Sequence, residues 1–327
     1  MAKRSRYQQL DDAIQAMLAR PETSLVEADG ALTPLLRVAA GLRDLPRASF
    51  KNKLRSELEA IMSASTAIAE VSPIPKGYHT ITPYIVVEKG PELVEFVKQV
   101  FGGEEIFRST GSAGGMHCEV RVGDSMLMIG GGGAYSGPVH PTAIHLYVED
   151  ADAVYQRAVG AGATTLHPPV DQPYGDREAS IRDAFGNEWY IATHKRGSGH
   201  IPAGLRNLNV FLHAQGAPQM IDFLASAFGA AEEARHQSPD GVVQHAVVRI
   251  GDSVLEMGEA HGQYQPMPTM FYLYVDDCDA WYRRAVAAGA ASMSEPKDQP
   301  YGDRNAWVRD PFGNDWYLAT HVKDVQP

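Results

Sequence analysis

The 327 residues predict an α+β chain in which one sheet-rich module is used twice behind a short helical region. Three observations carry that prediction. Asp171-Gln-Pro-Tyr-Gly-Asp-Arg177 recurs unchanged at Asp298 to Arg304, and from Asp171 to His194 and Asp298 to His321 18 of 24 aligned residues are identical. The hydrophobic period changes from helical spacing before about residue 65 to alternation from about Tyr78. A strand, a glycine-stopped helix and three further strands then follow one another four times.

In chain order, Tyr7, Leu10, Ile14, Met17 and Leu18 share one helical face, and Phe50, Leu54, Leu58, Ile61 and Met62 another. Leu32 to Leu42 shows similar spacing; Pro46 ends that segment and Ser49 can cap the next helix. Residues 1–65 therefore read as a helical module and 66–77, with Pro73 and Pro75, as a linker. Ile81 to Val87 then reads as a strand and Pro91 to Phe101 as a helix ended by Gly102 and Gly103. Strands follow at Glu105 to Arg108, Met116 to Val122 and Ser125 to Ile129, and the run Gly130 to Gly133 reads as a flexible connection. The order restarts with a strand at Ala143 to Val148 and a helix at Ala151 to Val159. Strands near Thr164 to Leu166, Glu178 to Arg182 and Glu188 to Thr193 complete it. The half-unit is thus βαβββ. A first module spans 78–197 and a second 201–323, each expected to hold two half-units.

Composition narrows the function. The net charge of −11 argues against general binding to nucleic acid or anionic membrane. The charge is uneven: residues 1–65 carry net +2 and the remainder net −13. Cys118 and Cys278 do not occupy equivalent positions, so neither a disulfide framework nor a thiolate zinc site is expected. With no run of about 18 apolar residues and no apolar signal core after Met1 to Arg6, a cytoplasmic protein is the expectation.

Two βαβββ units closing with Asp-Pro-x-Gly-Asn and an aromatic strand resemble the vicinal oxygen chelate superfamily, which includes glyoxalase I, bleomycin- and fosfomycin-resistance proteins and extradiol dioxygenases. The closing turn here is Asp310-Pro-Phe-Gly-Asn314 in copy two and Asp183-Ala-Phe-Gly-Asn187 in copy one. Phe101-Gly102 and Phe228-Gly229, Gly123-Asp124 and Gly251-Asp252, and the Tyr-Gly-Asp-Arg turns resemble its glyoxalase/bleomycin-resistance-like branch. The resemblance implies tandem modules with curved sheets forming cups, but leaves the reaction open.

Strand parity selects the residues that face such cups. Ile144, Leu146 and Val148 form an apolar face, which turns Ala143, His145 and Tyr147 to the other side. On Met116 to Val122 the same logic turns His117, Glu119 and Arg121 inward, and on the first strand Tyr84. Copy two offers Asn209, Phe211, His213, His245, Arg249, Met270, Tyr272 and Tyr274, and the last strands offer Tyr190 and Tyr317. Tyr84, Arg121, Tyr147, Tyr190, Phe211, Arg249, Tyr272, Tyr274 and Tyr317 are the candidate ligand contacts. Trp189 and Trp316 alternate with Tyr190 and Tyr317 and are expected under helices.

Metal-binding relatives, by the resemblance, carry His, Glu or Gln on the first and last strands of each half-unit. The first-strand positions here are near Thr82, Ala143, Asn209 and Met270; the last-strand positions are Met128, Tyr190, Glu256 and Tyr317, where Glu256 alone is a strong ligand type. Substitute clusters are His117, Glu119 and His145 in copy one, and His213, His245 and Glu256 in copy two, types that suit Fe, Mn, Zn or Ni. Met128 against Glu256 suggests that one module keeps a working pocket and the other supports it. Arg177 and Arg304 in the repeated turns are read as structural, pairing locally, rather than as carboxylate clamps.

Three functions follow. The first is a glyoxalase/bleomycin-resistance-like pocket that sequesters or modifies a small aromatic or oxygen-rich metabolite. The second is a divalent-metal lyase, isomerase or dioxygenase; the third is an interaction scaffold using the helical module. The two modules are expected to pair within the chain, with a homodimer as a further option.

Overall fold

The computed structural model describes residues 71–327, apart from 112–113, 263 and 326–327. The helical reading of residues 1–65 and the first part of the linker lie outside them. Copy one contributes β1 (Ile81–Val87), α1 (Gly90–Phe101), β2 (Glu104–Thr110), β3 (Met116–Val122) and β4 (Ser125–Gly131). It continues with β5 (Ala143–Tyr147), α2 (Ala151–Gly160), β6 (Thr164–Asp171), β7 (Asp176–Arg182) and β8 (Glu188–His194). Copy two repeats this as β9 (Leu208–Ala214), α3 (Ala217–Phe228), β10 (Ala231–Gln237), β11 (Val243–Ile250) and β12 (Ser253–Glu259). Its second half is β13 (Met270–Tyr274), α4 (Cys278–Ala287), β14 (Ala291–Asp298), β15 (Asp303–Arg309) and β16 (Asp315–His321).

The helices start and stop where side-chain chemistry dictates. Asp150 and Asp277 cap α2 and α4, each accepting a backbone N–H three residues on at 3.0 Å. Gly102 and Gly229 end α1 and α3 at φ +70° and +66°, a left-handed conformation that favours glycine. The Asp-x-Phe-Gly-Asn turn is explained by one carboxylate. Asp183 accepts from the Phe185 and Asn187 backbones, the Asn187 amide and the Trp189 indole, all at 2.8–2.9 Å. Asp310 repeats the same four bonds in copy two. Trp189 and Trp316 are fully buried, as parity requires, against Phe101 and Phe228.

The half-units pair across the two copies. One eight-stranded sheet, sheet A, runs β14-β15-β16-β13-β1-β4-β3-β2; the other, sheet B, runs β10-β11-β12-β9-β5-β8-β7-β6. Each sheet joins a half-unit of copy one to a half-unit of copy two through an antiparallel centre, β1 with β13 and β5 with β9. The repeated Gly-Asp-Ser turns tie this exchange together. Asp124 accepts from the Asn207 backbone at 3.0 Å and Ser125 from Leu208 at 3.1 Å, at the start of β9. Asp252 and Ser253 accept from Thr80 at 2.8 Å and Ile81 at 3.0 Å, at the start of β1.

One apolar core joins the helix-facing sides of both sheets, with Ile85, Leu127, Ile144, Trp189, Leu255 and Trp316 among its members. The opposite sides form the two cups. Gly130 and Gly131 do not form a flexible connection; they end β4. A side chain at Gly131 would overlap the Val87 carbonyl, and its φ is +109°, so glycine is required by close approach and by the backbone angle. Among the described residues no helix is long and apolar enough to cross a membrane.

Candidate functional site

In sheet B the cup is organised around His145. Strand β5 presents it at the sheet centre, with β9 and β12 on one side and β8 and β7 on the other. Its Nδ1 lies 2.9 Å from Oε1 of Glu256 on β12, and its Nε2 lies 3.4 Å from Oε2 of Glu178 on β7. The other Glu256 oxygen meets Nε2 of His245 at 3.0 Å. His145 thus reaches over β9 to Glu256 and over β8 to Glu178.

Electrostatics fix the charge of this chain of groups. Burial alone would push the His145 imidazole down, but the Glu256 charge, the bond to Glu256 and the nearby Glu178 carboxylate outweigh it and raise its pKa. Burial would raise Glu256; the charge and bond of His145, with the bond of His245, instead hold it below the usual carboxylate range. Both shifts favour the charged forms, an imidazolium beside a carboxylate. His145 Nε2 lies within ion-pair distance of Glu178 but without hydrogen-bond alignment, which leaves a buried donor unsatisfied at the cup floor.

Aromatic walls surround that donor. The Tyr147 ring lies 4.5 Å from the His145 ring, and its hydroxyl donates to Asp176 at 3.0 Å. Tyr190 packs at 5.4 Å against Phe211 and hydrogen-bonds His213 Nε2 at 3.0 Å. Tyr264 stacks on His213 at 5.3 Å. Glu188, below its usual pKa despite burial because of His213 and Arg182, closes this wall.

Sheet A carries the equivalent cup with other chemistry. Met128 pairs with Tyr84 and Glu119, the positions matched in sheet B by Glu256 with Phe211 and Val247. Tyr272 stands where sheet B has His145, and Asn305 where it has Glu178. Tyr272, Tyr274 and Tyr317 line this face beside Tyr84. The Tyr272 and Tyr274 hydroxyls donate to Asp303 at 2.8 and 3.3 Å, and His321 Nδ1 lies 2.9 Å from the same carboxylate.

These positions revise several expectations. His117 and Glu119 lie in sheet A and His145 in sheet B, so the first proposed cluster is split by the exchange of half-units. His213, His245 and Glu256 do share the sheet B cup, joined by His145. Glu256, however, spends one oxygen on each of two imidazoles, and among the described residues no group of three or more His, Cys, Asp or Glu side chains is arranged to hold a metal ion. The donor types fit a divalent ion; their arrangement does not.

Arg121 and Arg249 lie near the ends of β3 and β11 and pair with Glu104 and Glu233. Arg177 and Arg304 bind Asp152 and Asp279 on the adjoining helices, while the Asp of the same turns is buried in the cups. The contrast between copies therefore separates two sheets, not two modules. Sequence reasoning missed Asp176, Asp303 and Glu178. Glu178 could have been found as one more position, against Asn305, at which the copies disagree.

Comparison with known proteins follows this geometry. The Glyoxalase/Bleomycin resistance protein/Dioxygenase superfamily model matches residues 78–191 and 210–318. An uncharacterized protein of Mycobacterium tuberculosis (strain H37Rv) is 36% identical over 129 residues, 36% of this chain and 76% of its own length. The anthracycline biosynthesis protein DnrV of Streptomyces peucetius is 28% identical over 180 residues, 52% of this chain and 62% of its own. Among solved structures, glyoxalase I from Zea mays superposes with a TM-score of 0.56 at 15% identity, covering 73% of this chain and 91% of that one. That likeness is one of fold.

Proposed function

Because the chain belongs to the glyoxalase/bleomycin resistance protein/dioxygenase superfamily, we propose that the sheet B cup is its working pocket and binds a small, oxygen-bearing aromatic molecule. The observation that carries this reading is the unsatisfied His145 Nε2. A buried N–H without an aligned acceptor costs about 1–3 kcal/mol, and a ligand oxygen placed there recovers it. The imidazolium state, held by Glu256, makes that contact charge-assisted. Tyr147, Tyr190 and Phe211 supply flat apolar surface around the donor.

The chemistry open to this constellation is electrophilic. An imidazolium whose pKa is raised is a poor base at neutral pH, but it polarises a carbonyl and stabilises an enolate-like oxygen. The name of the DnrV relative, which refers to anthracycline biosynthesis, is in keeping with an aromatic, oxygen-rich ligand.

Calorimetric titration with 2-hydroxyacetophenone as probe, in the parent protein and in Glu256→Gln, tests the reading. Neutralising Glu256 lets His145 lose its proton, and affinity is expected to fall about tenfold, the worth of one charge-assisted bond. Equal affinity in the two proteins would remove His145 as the anchoring donor.

A further inference from the structure

We propose that the sheet A cup is a second, separate ligand site that takes a small organic cation of the quaternary-ammonium type. This inference does not depend on the reading of sheet B. Its basis is what replaces the imidazolium there: Tyr272 stands in place of His145 and Met128 in place of Glu256. The floor thus becomes a set of aromatic rings with no cation of its own.

The rings are fixed relative to one another. Tyr272 and Tyr317 lie parallel within 7° at 6.1 Å, and Trp307 extends the series, 11° from Tyr317 at 5.5 Å. Tyr78 meets Tyr274 edge-on at 5.4 Å. Asp303 tethers the hydroxyls of Tyr272 and Tyr274, and His117 Nδ1 that of Tyr84 at 2.9 Å. With hydroxyls committed to the wall, a ligand meets π-surface. Tyr78, Tyr84, Trp307 and Tyr317 are only partly buried, so this surface is reachable.

Charge decides which ligand that surface prefers. Glu119 points into this cup from β3, its side chain 18% exposed, with His117 Nε2 at 3.3 Å. His117 bridges Tyr84 and Glu119, its Nδ1 2.9 Å from the Tyr84 hydroxyl and its Nε2 facing Glu119. Arg121 and Arg309 on this face are committed to Glu104 and Asp315. Glu119 lies in one row with Met128 and Tyr84 across β3, β4 and β1. Aromatic faces beside a carboxylate attract an alkylated ammonium, which binds through ring quadrupoles and charge without needing hydrogen-bond acceptors.

The test is a titration of the full chain with choline and with 3,3-dimethylbutan-1-ol, which has the same shape and no charge. Choline is expected to bind at least about tenfold more tightly, and Glu119→Gln, nearly isosteric and partly exposed, to weaken it by a similar factor. Tyr317→Leu is expected to weaken choline as well, while Arg177→Lys, at an exposed ion pair of sheet B, leaves it unchanged. Equal affinity for the neutral alcohol, no binding of choline, or unchanged choline binding in Glu119→Gln would each overturn the proposal. Failure of the 2-hydroxyacetophenone experiment leaves it standing, because the two probes report on different sheets.

Discussion

His145 and Glu256 meet at 2.9 Å although 111 residues and two different copies of the module separate them. The contact exists because β5 and β12 flank β9 in one sheet. It makes the sheet B cup a joint product of both copies, and it is the place where substitutions should be most informative.

Breaking this buried pair from one side leaves an uncompensated charge. Glu256→Gln and His145→Gln are each expected to destabilise the fold by about 3–5 kcal/mol, read as a lower urea midpoint at unchanged slope. The double variant His145→Tyr with Glu256→Met copies the sheet A pattern of Tyr272 and Met128. It should cost clearly less than the two single losses combined, and a double-mutant cycle measures that coupling.

Stability should depend on pH through the same pair. The folded pKa of His145 is raised to about 10 from 6.5, burial opposing and Glu256 and Glu178 prevailing, so its contribution is complete below pH 6.5 and is lost as pH rises toward 10. That of Glu256 is lowered to about 2 from 4.5, burial again opposing and His145 prevailing, so its contribution is complete above pH 4.5 and is lost as pH falls toward 2. The pair therefore stabilises most between about pH 4.5 and 6.5. Urea midpoints across pH 4 to 10 should show a decline above 6.5 that flattens in His145→Gln.

The buried Asp of the repeated turns should matter more than its Arg neighbour. Tyr272→Phe removes a 2.8 Å bond to Asp303, and Tyr147→Phe a 3.0 Å bond to Asp176. Each is expected to cost about 1.5–3 kcal/mol in denaturant unfolding, the range for bonds to charged groups. Arg177→Lys changes a solvent-exposed pair with Asp152 and should cost less than about 1 kcal/mol.

Metal addition tests the donor arrangement. Both Glu256 oxygens are occupied by imidazoles, so a divalent ion must displace His145 or His245 before it can bind. After chelator treatment, protein dialysed against Zn, Mn, Ni or Fe(II) is expected to retain substoichiometric metal by elemental analysis. Stoichiometric retention that disappears in Glu256→Ala would show that the site rearranges to accept an ion.

The fold was legible because its signals are local. Trp189 alternating with Tyr190, Gly102 closing a helix and the Asp183 turn each report on neighbours a few residues away. The strand faces were legible for the same reason: period two put His145 and Tyr272 on the cup side, whereas Glu256 was picked out by the family resemblance. What was not legible was which half-unit pairs with which. The turns at Gly123-Asp124 and Gly251-Asp252 were visible as motifs, but their bonds to Asn207 and Thr80 span more than 80 residues. Without those partners His117, Glu119 and His145 looked like one cluster, and the structure places them in two.

The exchange of half-units has a consequence for how this protein can change over generations. Since each cup takes one wall from either copy, deletion of one copy would erase half of both sites, and neither duplicate is free to decay. Divergence is instead confined to matched strand positions, where a single replacement alters one cup and leaves its counterpart intact. Duplication here gave two cups that must be inherited together and yet can drift apart in the side chains they present.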